Sequence, residues 1–204
     1  MTIFRKCRSG IKYAFITKTN ILFSSKDDEF ESIVNKKSEI YTSEYYRSRI
    51  DNADGFNEIW DIVRETVKDY TGEHRGGMLL FLDDLPFRLG AYHTLGTNNI
   101  VLNRTLVHKV KTTTKSKRLL NSFVYILLVH EYLHALGHIS EVEVRDLIYE
   151  ISNGCFGEEH TVTMLAKESP WTLLSGISLS EKESPRQGIE IVKDFEKQNQ
   201  EYII

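Results

Sequence analysis

The fold of this chain is decided by the stretch FVYILLVHEYLHALG, which occupies residues 123–137. Its first seven residues, 123–129, are all apolar or aromatic, and they run directly into an H-E-x-x-H motif at residues 130–134. Because the stretch is apolar on every side and Gly137 is a typical helix stop, the pattern predicts one buried helix over about residues 116–136. The motif is therefore expected near the end of a helix that crosses the core.

The two histidines of the motif are spaced to bind one metal ion. His130 and His134 lie four residues apart and project from one face of a helix, so two imidazole nitrogens can reach a tetrahedral ion about 2 Å from each. Glu131 lies beside them, where a carboxylate can take a proton from metal-bound water. Only seven of 204 residues are histidine, so the odds of a chance motif are on the order of a few per cent. The alternative is two histidines that only make structural hydrogen bonds.

A catalytic zinc ion needs a third protein ligand, which the motif does not supply. His160 is our first choice, because a helix after Gly137 can double back and the turn at Asn153-Gly154 can return the chain to the metal. His138 lies about 12 Å further along the axis than His130 if the helix continues, so it qualifies only after a sharp break. The competing downstream carboxylates are Glu150, Glu158 and Glu159.

Composition and charge argue against several classes of function. A net charge of -3 and a pI of about 6.2 give no overall attraction to nucleic acid or anionic membrane. Residues 1–16 lack the apolar segment of a signal peptide, and the run at 123–129 is too short to span a bilayer, so we expect a cytoplasmic protein without a membrane partner. The two cysteines, Cys7 and Cys155, indicate neither a disulfide scaffold nor a four-cysteine zinc site.

Hydrophobic periodicity predicts an α+β fold with a short mixed sheet, the motif helix and further helices after it. Ser140 followed by Glu143 predicts a capping box at the start of the next helix. The predicted strands are 78–82 and 100–103, with short strands or turns at 11–15 and 20–23. The predicted helices besides the motif helix are 27–37, 56–70, 141–152, 157–165 and 189–198, with a short helix or loop over 104–110 and a loop over 169–188.

These residues together resemble the zincin superfamily of metallopeptidases, most strongly over residues 100–137. In zincins the strand before the motif helix commonly forms a sheet edge that pairs with extended substrate, so the resemblance implies substrate binding at Ile100, Val101 and Leu102. The metzincin signature adds a histidine six residues after the second ligand, and this chain has Ser140 there. Residues 130–160 are also similar to small archaeal zincin-like proteins.

The resemblance implies one zincin-like domain over residues 1–204, with a weakly assigned part at 1–55, a catalytic core at 56–168 and a C-terminal loop and helix at 169–204. The expected activity is zinc-dependent hydrolysis of a peptide or protein substrate, with His130, His134 and His160 holding zinc and Glu131 activating water. The alternative is a non-catalytic protein in which zinc is structural or supports a partner-binding module. The basic stretch 109–118 is interpreted as a solvated face, and a peptidase acting on nucleic-acid-bound substrates is its functional alternative.

Overall fold

The computed structural model describes residues 43–175 and 188–196. This part of the chain is α+β, with six α-helices and a small mixed sheet of four strands. The elements predicted upstream of residue 40 lie outside the described residues. The helices are α1 (residues 43–52), α2 (Phe56–Thr71), α3 (Arg104–Thr114), α4 (Lys117–Leu136), α5 (Glu141–Phe156) and α6 (Thr161–Glu168), and the strands are β1 (Leu79–Asp83), β2 (Ala91–His93), β3 (Asn99–Asn103) and β4 (Glu190–Ile191).

The described sheet has the strand order β2-β3-β1-β4. Strands β1 and β3 pair in parallel, while β2 and β4 pair antiparallel to them at the two edges. Ile100 and Leu102 are fully buried, because their strand is covered by a neighbour on each side and by helices. The expectation that this strand forms the sheet edge is therefore wrong, since β3 has both of its backbone sides paired.

Helix α4 is the centre of the fold. It packs against α2, α3, α5 and α6 and against strands β2 and β3, which explains why its sequence is apolar all round. Ser116 caps its start by accepting a hydrogen bond from Leu119 N at 3.3 Å. Gly137 ends it with a φ of 108°, as predicted. By length and composition α4 could cross a membrane, and 72% of its apolar window is buried inside the protein.

Helix α5 runs past the stop predicted at Asn153-Gly154 and ends at Phe156. The reason is packing, because a Cβ atom on Gly154 would lie 3.2 Å from the ring of Tyr70. This glycine therefore permits close approach of α2 to α5 and does not end the helix. As a consequence α6 begins later than predicted, at Thr161.

The C-terminal helix predicted over 189–198 is not formed in its described part. Instead β4 pairs with β1, and Phe195 stacks on Trp60 with 4.8 Å between ring centroids. Glu196 accepts a hydrogen bond from Met78 N at 2.7 Å. These long-range contacts override a weak amphipathic pattern, because pairing and burial outweigh local helix propensity. The predicted loop over 169–188 contains a 3₁₀ turn at Pro170–Leu174 in its described part.

Candidate metal centre

A four-residue connection, 137–140, joins α4 to α5 and brings the motif histidines to the start of α5. Gly137 adopts the left-handed conformation, and His138 N donates to Leu133 O at 3.1 Å, which closes α4. Ser140 then caps α5 by accepting from Glu143 N at 3.4 Å. The chain reverses so sharply that the first residue of α5, Glu141, faces the last turns of α4.

Three side chains converge there, namely His130, His134 and Glu141. The two histidine Nε2 atoms lie 3.2 Å apart. Glu141 Oε2 lies 3.4 Å from Nε2 of His130, and Glu141 Oε1 lies 3.1 Å from Nε2 of His134. We call this group the His-His-Glu cluster.

The spacing of these side chains can be compared with that of a tetrahedral metal site. Ligand atoms about 2.0–2.1 Å from a tetrahedral zinc ion lie about 3.3–3.4 Å from one another. The two histidine nitrogens, 3.2 Å apart, are close to that separation, and each lies 3.1–3.4 Å from a different oxygen of Glu141. With one donor atom taken from each residue, the three atoms lie within 4.8 Å of one another, so the cluster could hold one small divalent cation after the Glu141 carboxylate adjusts.

The second histidine is oriented by the connection that follows it. His134 Nδ1 lies 2.7 Å from the carbonyl oxygen of His138 and donates to it, which leaves Nε2 as the nitrogen that can bind a metal. His138 is itself fixed by two carboxylates, with Nε2 2.9 Å from Glu73 and Nδ1 3.3 Å from Glu143. These carboxylates raise the pKa of His138 against the opposing effect of burial. His138 thus orients His134 through its carbonyl group, while its own ring is held by Glu73 and Glu143, outside the cluster.

The electrostatics of the site suit metal binding and proton transfer. Burial lowers the pKa of His130, and nearby Glu141 opposes this effect, so the neutral imidazole that a metal requires is favoured. Glu131 is 8% exposed. Burial raises the pKa of Glu131 to about 7, with Glu141 acting in the same direction and with His134 and the backbone of His93 lowering it. A carboxyl group with a pKa near neutrality can both accept and return a proton.

His160 does not join the cluster. It caps the start of α6 by accepting from Val162 N at 3.2 Å, and its Nε2 lies 3.2 Å from Asp51 of α1. Its ring stacks on Phe156 and is buried. The prediction that His160 is the third ligand is therefore contradicted by the structure, because α5 is longer than expected and carries the chain to the α1 side of the molecule. The remaining predicted candidates, Glu150, Glu158, Glu159 and His138, are also outside the cluster.

Glu141 was missed by sequence reasoning, although a signal for it was present. The stop at Gly137 and the cap at Ser140 both predict a sharp reversal, and such a reversal brings the first residue of the next helix back toward the motif. Glu141 also lies one position after the place where the metzincin signature has its third ligand. The candidates predicted from the sequence were His138 and residues from 150 onward, and Glu141 was not among them.

A cleft of about 440 Å³ opens beside the cluster. It is lined by His130, Glu131 and Glu141, by the chain entering β2 at Gly90 and Ala91, and by the end of α6. Its floor is apolar and comes from α4, α5 and α6, with Ile126, Leu127, Ile148 and Leu165. The cleft thus brings together the side chains of the His-His-Glu cluster, the buried carboxyl group of Glu131 and an apolar surface.

Asn103 holds the β1–β2 connection that forms one wall of this cleft. Its buried side-chain amide donates to the carbonyl oxygens of Leu85, Pro86 and Leu89 at 3.0, 3.1 and 2.8 Å. Its side-chain oxygen also caps α3 by accepting from Leu106 N at 3.2 Å. The side chain of Asn103 therefore connects the end of β3 to the cleft wall. Its burial is tolerated because its amide group and its oxygen are both hydrogen-bonded.

Comparisons with protein-family models, with curated proteins and with solved structures found no match for this chain.

Proposed function

We propose that this protein is a zinc-dependent peptidase of zincin-like fold. The observation that carries the proposal is the His-His-Glu cluster, whose donor atoms lie within 4.8 Å of one another, with the buried carboxyl group of Glu131 on the same turn of α4. In this arrangement three protein ligands leave the fourth position of a zinc ion for water, as catalytic sites require. A structural site would have four protein ligands, and the described residues supply three.

His130, His134 and Glu141 would hold the ion, which when bound supplies an acidified water and polarises the scissile carbonyl group. Glu131 would accept a proton from the attacking water and return it to the leaving amine. Burial raises the pKa of Glu131, and a neighbouring divalent cation would lower it. His138 keeps the ring of His134 in place through its carbonyl group.

We place an extended peptide substrate along β2 and not along β3. In the described sheet β2 is an edge strand paired only with β3, and its first residue lines the cleft. An edge strand can accept a further antiparallel strand through its unpaired backbone groups. The substrate would then pair with one side of β2, and β3 would pair with the other side through Ile100, Val101 and Leu102, which would not contact the substrate.

The test is a comparison of wild type with Glu131→Gln, both loaded with zinc, on a library of proteome-derived peptides whose new termini are identified by mass spectrometry. The amide cannot accept a proton, so we expect cleavage to fall by about 10²–10⁴-fold while zinc content is unchanged. Glu159→Gln, an exposed acid outside the cleft, is the matched control and should cleave normally. Zinc-loaded wild type without any cleavage would reject the peptidase and favour the non-catalytic alternative.

A further inference from the structure

One face of α5 connects the His-His-Glu cluster to the rest of the cleft. Glu141, Arg145 and Ile148 are spaced four and three residues apart, so they lie on the same side of the helix, and all three line the cleft. Arg145 Nε donates to the backbone oxygen of Glu141 at 3.3 Å. This contact holds the base of the guanidinium group one helical turn from the cluster and leaves its two terminal nitrogens for another partner.

The charge on Arg145 is not neutralised within the described part of the molecule. The neighbouring carboxylate, Glu141, lies against the two histidines, and no other carboxylate of the described residues pairs with Arg145. Arg88, on the β1–β2 connection, lines the same cleft and is likewise without an ion pair among these residues.

The other described arginines behave differently. Four of them form ion pairs with carboxylates, and two are held by backbone carbonyl or amide oxygens. The paired arginines are Arg49, Arg64, Arg104 and Arg118, and the others are Arg47 and Arg75. Arg145 and Arg88, which line the cleft, are thus the two described arginines that have neither a carboxylate partner nor several oxygen acceptors.

We propose that Arg145, assisted by Arg88, binds a carboxylate of the peptide substrate within one or two residues of the scissile bond. This proposal rests on the proposed peptidase function. The planar guanidinium group matches a carboxylate and can bind it through two parallel hydrogen bonds. Residues one turn apart on a helix lie about 6 Å from each other, which is about two residues of extended peptide. The carboxylate is either the C-terminus of the substrate or an Asp or Glu side chain, and the apolar floor beside it accepts a hydrophobic neighbour.

Four small probes test this without knowledge of the natural substrate. They are mercaptoacetyl-leucyl-glutamate and mercaptoacetyl-leucyl-glutamine, each with a free C-terminal carboxylate and as the C-terminal amide. The thiolate binds zinc and the dipeptide extends into the cleft, so affinities measured by calorimetry on the zinc-loaded full chain report on the cleft without turnover. We expect at least one carboxylate-bearing probe to bind about tenfold or more tightly than the doubly neutral probe.

The matched variants assign that preference to a residue. In Arg145→Gln the preference should fall to less than about threefold while the neutral probe binds as it does to wild type, and Arg88→Gln should reduce the preference partly. Lys111→Gln removes the same charge from an exposed position of α3 outside the cleft and should keep the full preference.

Dependence on the C-terminal carboxylate would identify an enzyme acting near substrate C-termini, and dependence on the glutamate side chain would identify one acting beside acidic residues. Equal binding of all four probes to wild type, or a preference that persists in Arg145→Gln, overturns the proposal and leaves the peptidase function standing. Failure of every thiol to bind a zinc-loaded protein would instead contradict the proposed zinc site.

Discussion

Glu141 reaches the motif histidines because only four residues separate α4 from α5. Its carboxylate is half exposed at the mouth of the cleft, while the imidazole rings of His130 and His134 are mostly covered. When no metal is bound, this carboxylate stays in contact with water, so its charge costs little desolvation free energy. The same carboxylate completes a set of donors in which two neutral nitrogens and one anionic oxygen suit zinc.

Zinc affinity should depend on Glu141 and not on His160. Glu141→Gln removes an anionic ligand, so we expect the dissociation constant for zinc to rise by at least about 100-fold, more than the 10–100-fold typical of outer-shell residues. His160→Gln is the control, because that side chain caps α6 and contacts Asp51. Titration with a competing chelator measures both. A large loss in His160→Gln with none in Glu141→Gln would contradict the assignment.

At the level of residues, the sequence predicted those parts of the site that depend on local spacing. His130, Glu131 and His134 belong to one helix, so their relative positions follow from helical geometry alone. The third ligand depends on where the chain goes after Gly137, and that path is decided by tertiary packing. His160 was a reasonable choice only for a shorter α5, and the close contact of Gly154 with Tyr70 was not visible in the sequence.

The connection between α4 and α5 makes a further prediction at the level of elements. Gly137 has a φ of 108° and open space where a Cβ atom would be, so Gly137→Ala changes backbone strain without a steric clash. We expect a loss of about 1–2 kcal/mol in the free energy of unfolding. We also expect zinc affinity to fall by about tenfold, because relaxation of the turn moves the carbonyl group of His138 that orients His134.

Gly96 provides the control for this experiment. It has a φ of 80° and the same open space, but it lies in the β2–β3 connection outside the cleft. Gly96→Ala should therefore lose similar stability and keep its zinc affinity, as measured by urea unfolding and zinc titration. Equal loss of affinity in the two variants would show that the turn after α4 has no special role in the site.

Elements with strong local signals were predicted well. The stop of α4 at Gly137, the cap of α5 at Ser140, the amphipathic face of α2 and the apolar strands β1 and β3 all follow from residues close in sequence. The order of the strands does not follow from such signals, because it depends on which edges the helices cover. The resemblance to zincins placed β3 at an edge, and a weak amphipathic pattern predicted a helix where β4 forms.

For the whole molecule, the core of the described residues is complete without a metal. Large side chains from every layer are buried in it, including Trp60, Phe123, Tyr125, Tyr132 and Phe156. We expect removal of zinc by a chelator to leave the far-ultraviolet circular dichroism spectrum unchanged and to abolish peptide cleavage. Readdition of zinc should raise the free energy of unfolding by about 4 kcal/mol at 1,000 times its dissociation constant. Unfolding on chelation would instead favour a structural metal.

The most direct test of the metal centre is a crystal structure of the zinc-loaded protein with anomalous diffraction data collected at the zinc absorption edge. We predict one anomalous peak per chain, about 2.0–2.2 Å from Nε2 of His130, Nε2 of His134 and a carboxylate oxygen of Glu141. A water molecule should occupy the fourth position beside Glu131. A peak bound by His160 or His138, or a fourth protein ligand in place of water, would contradict the account.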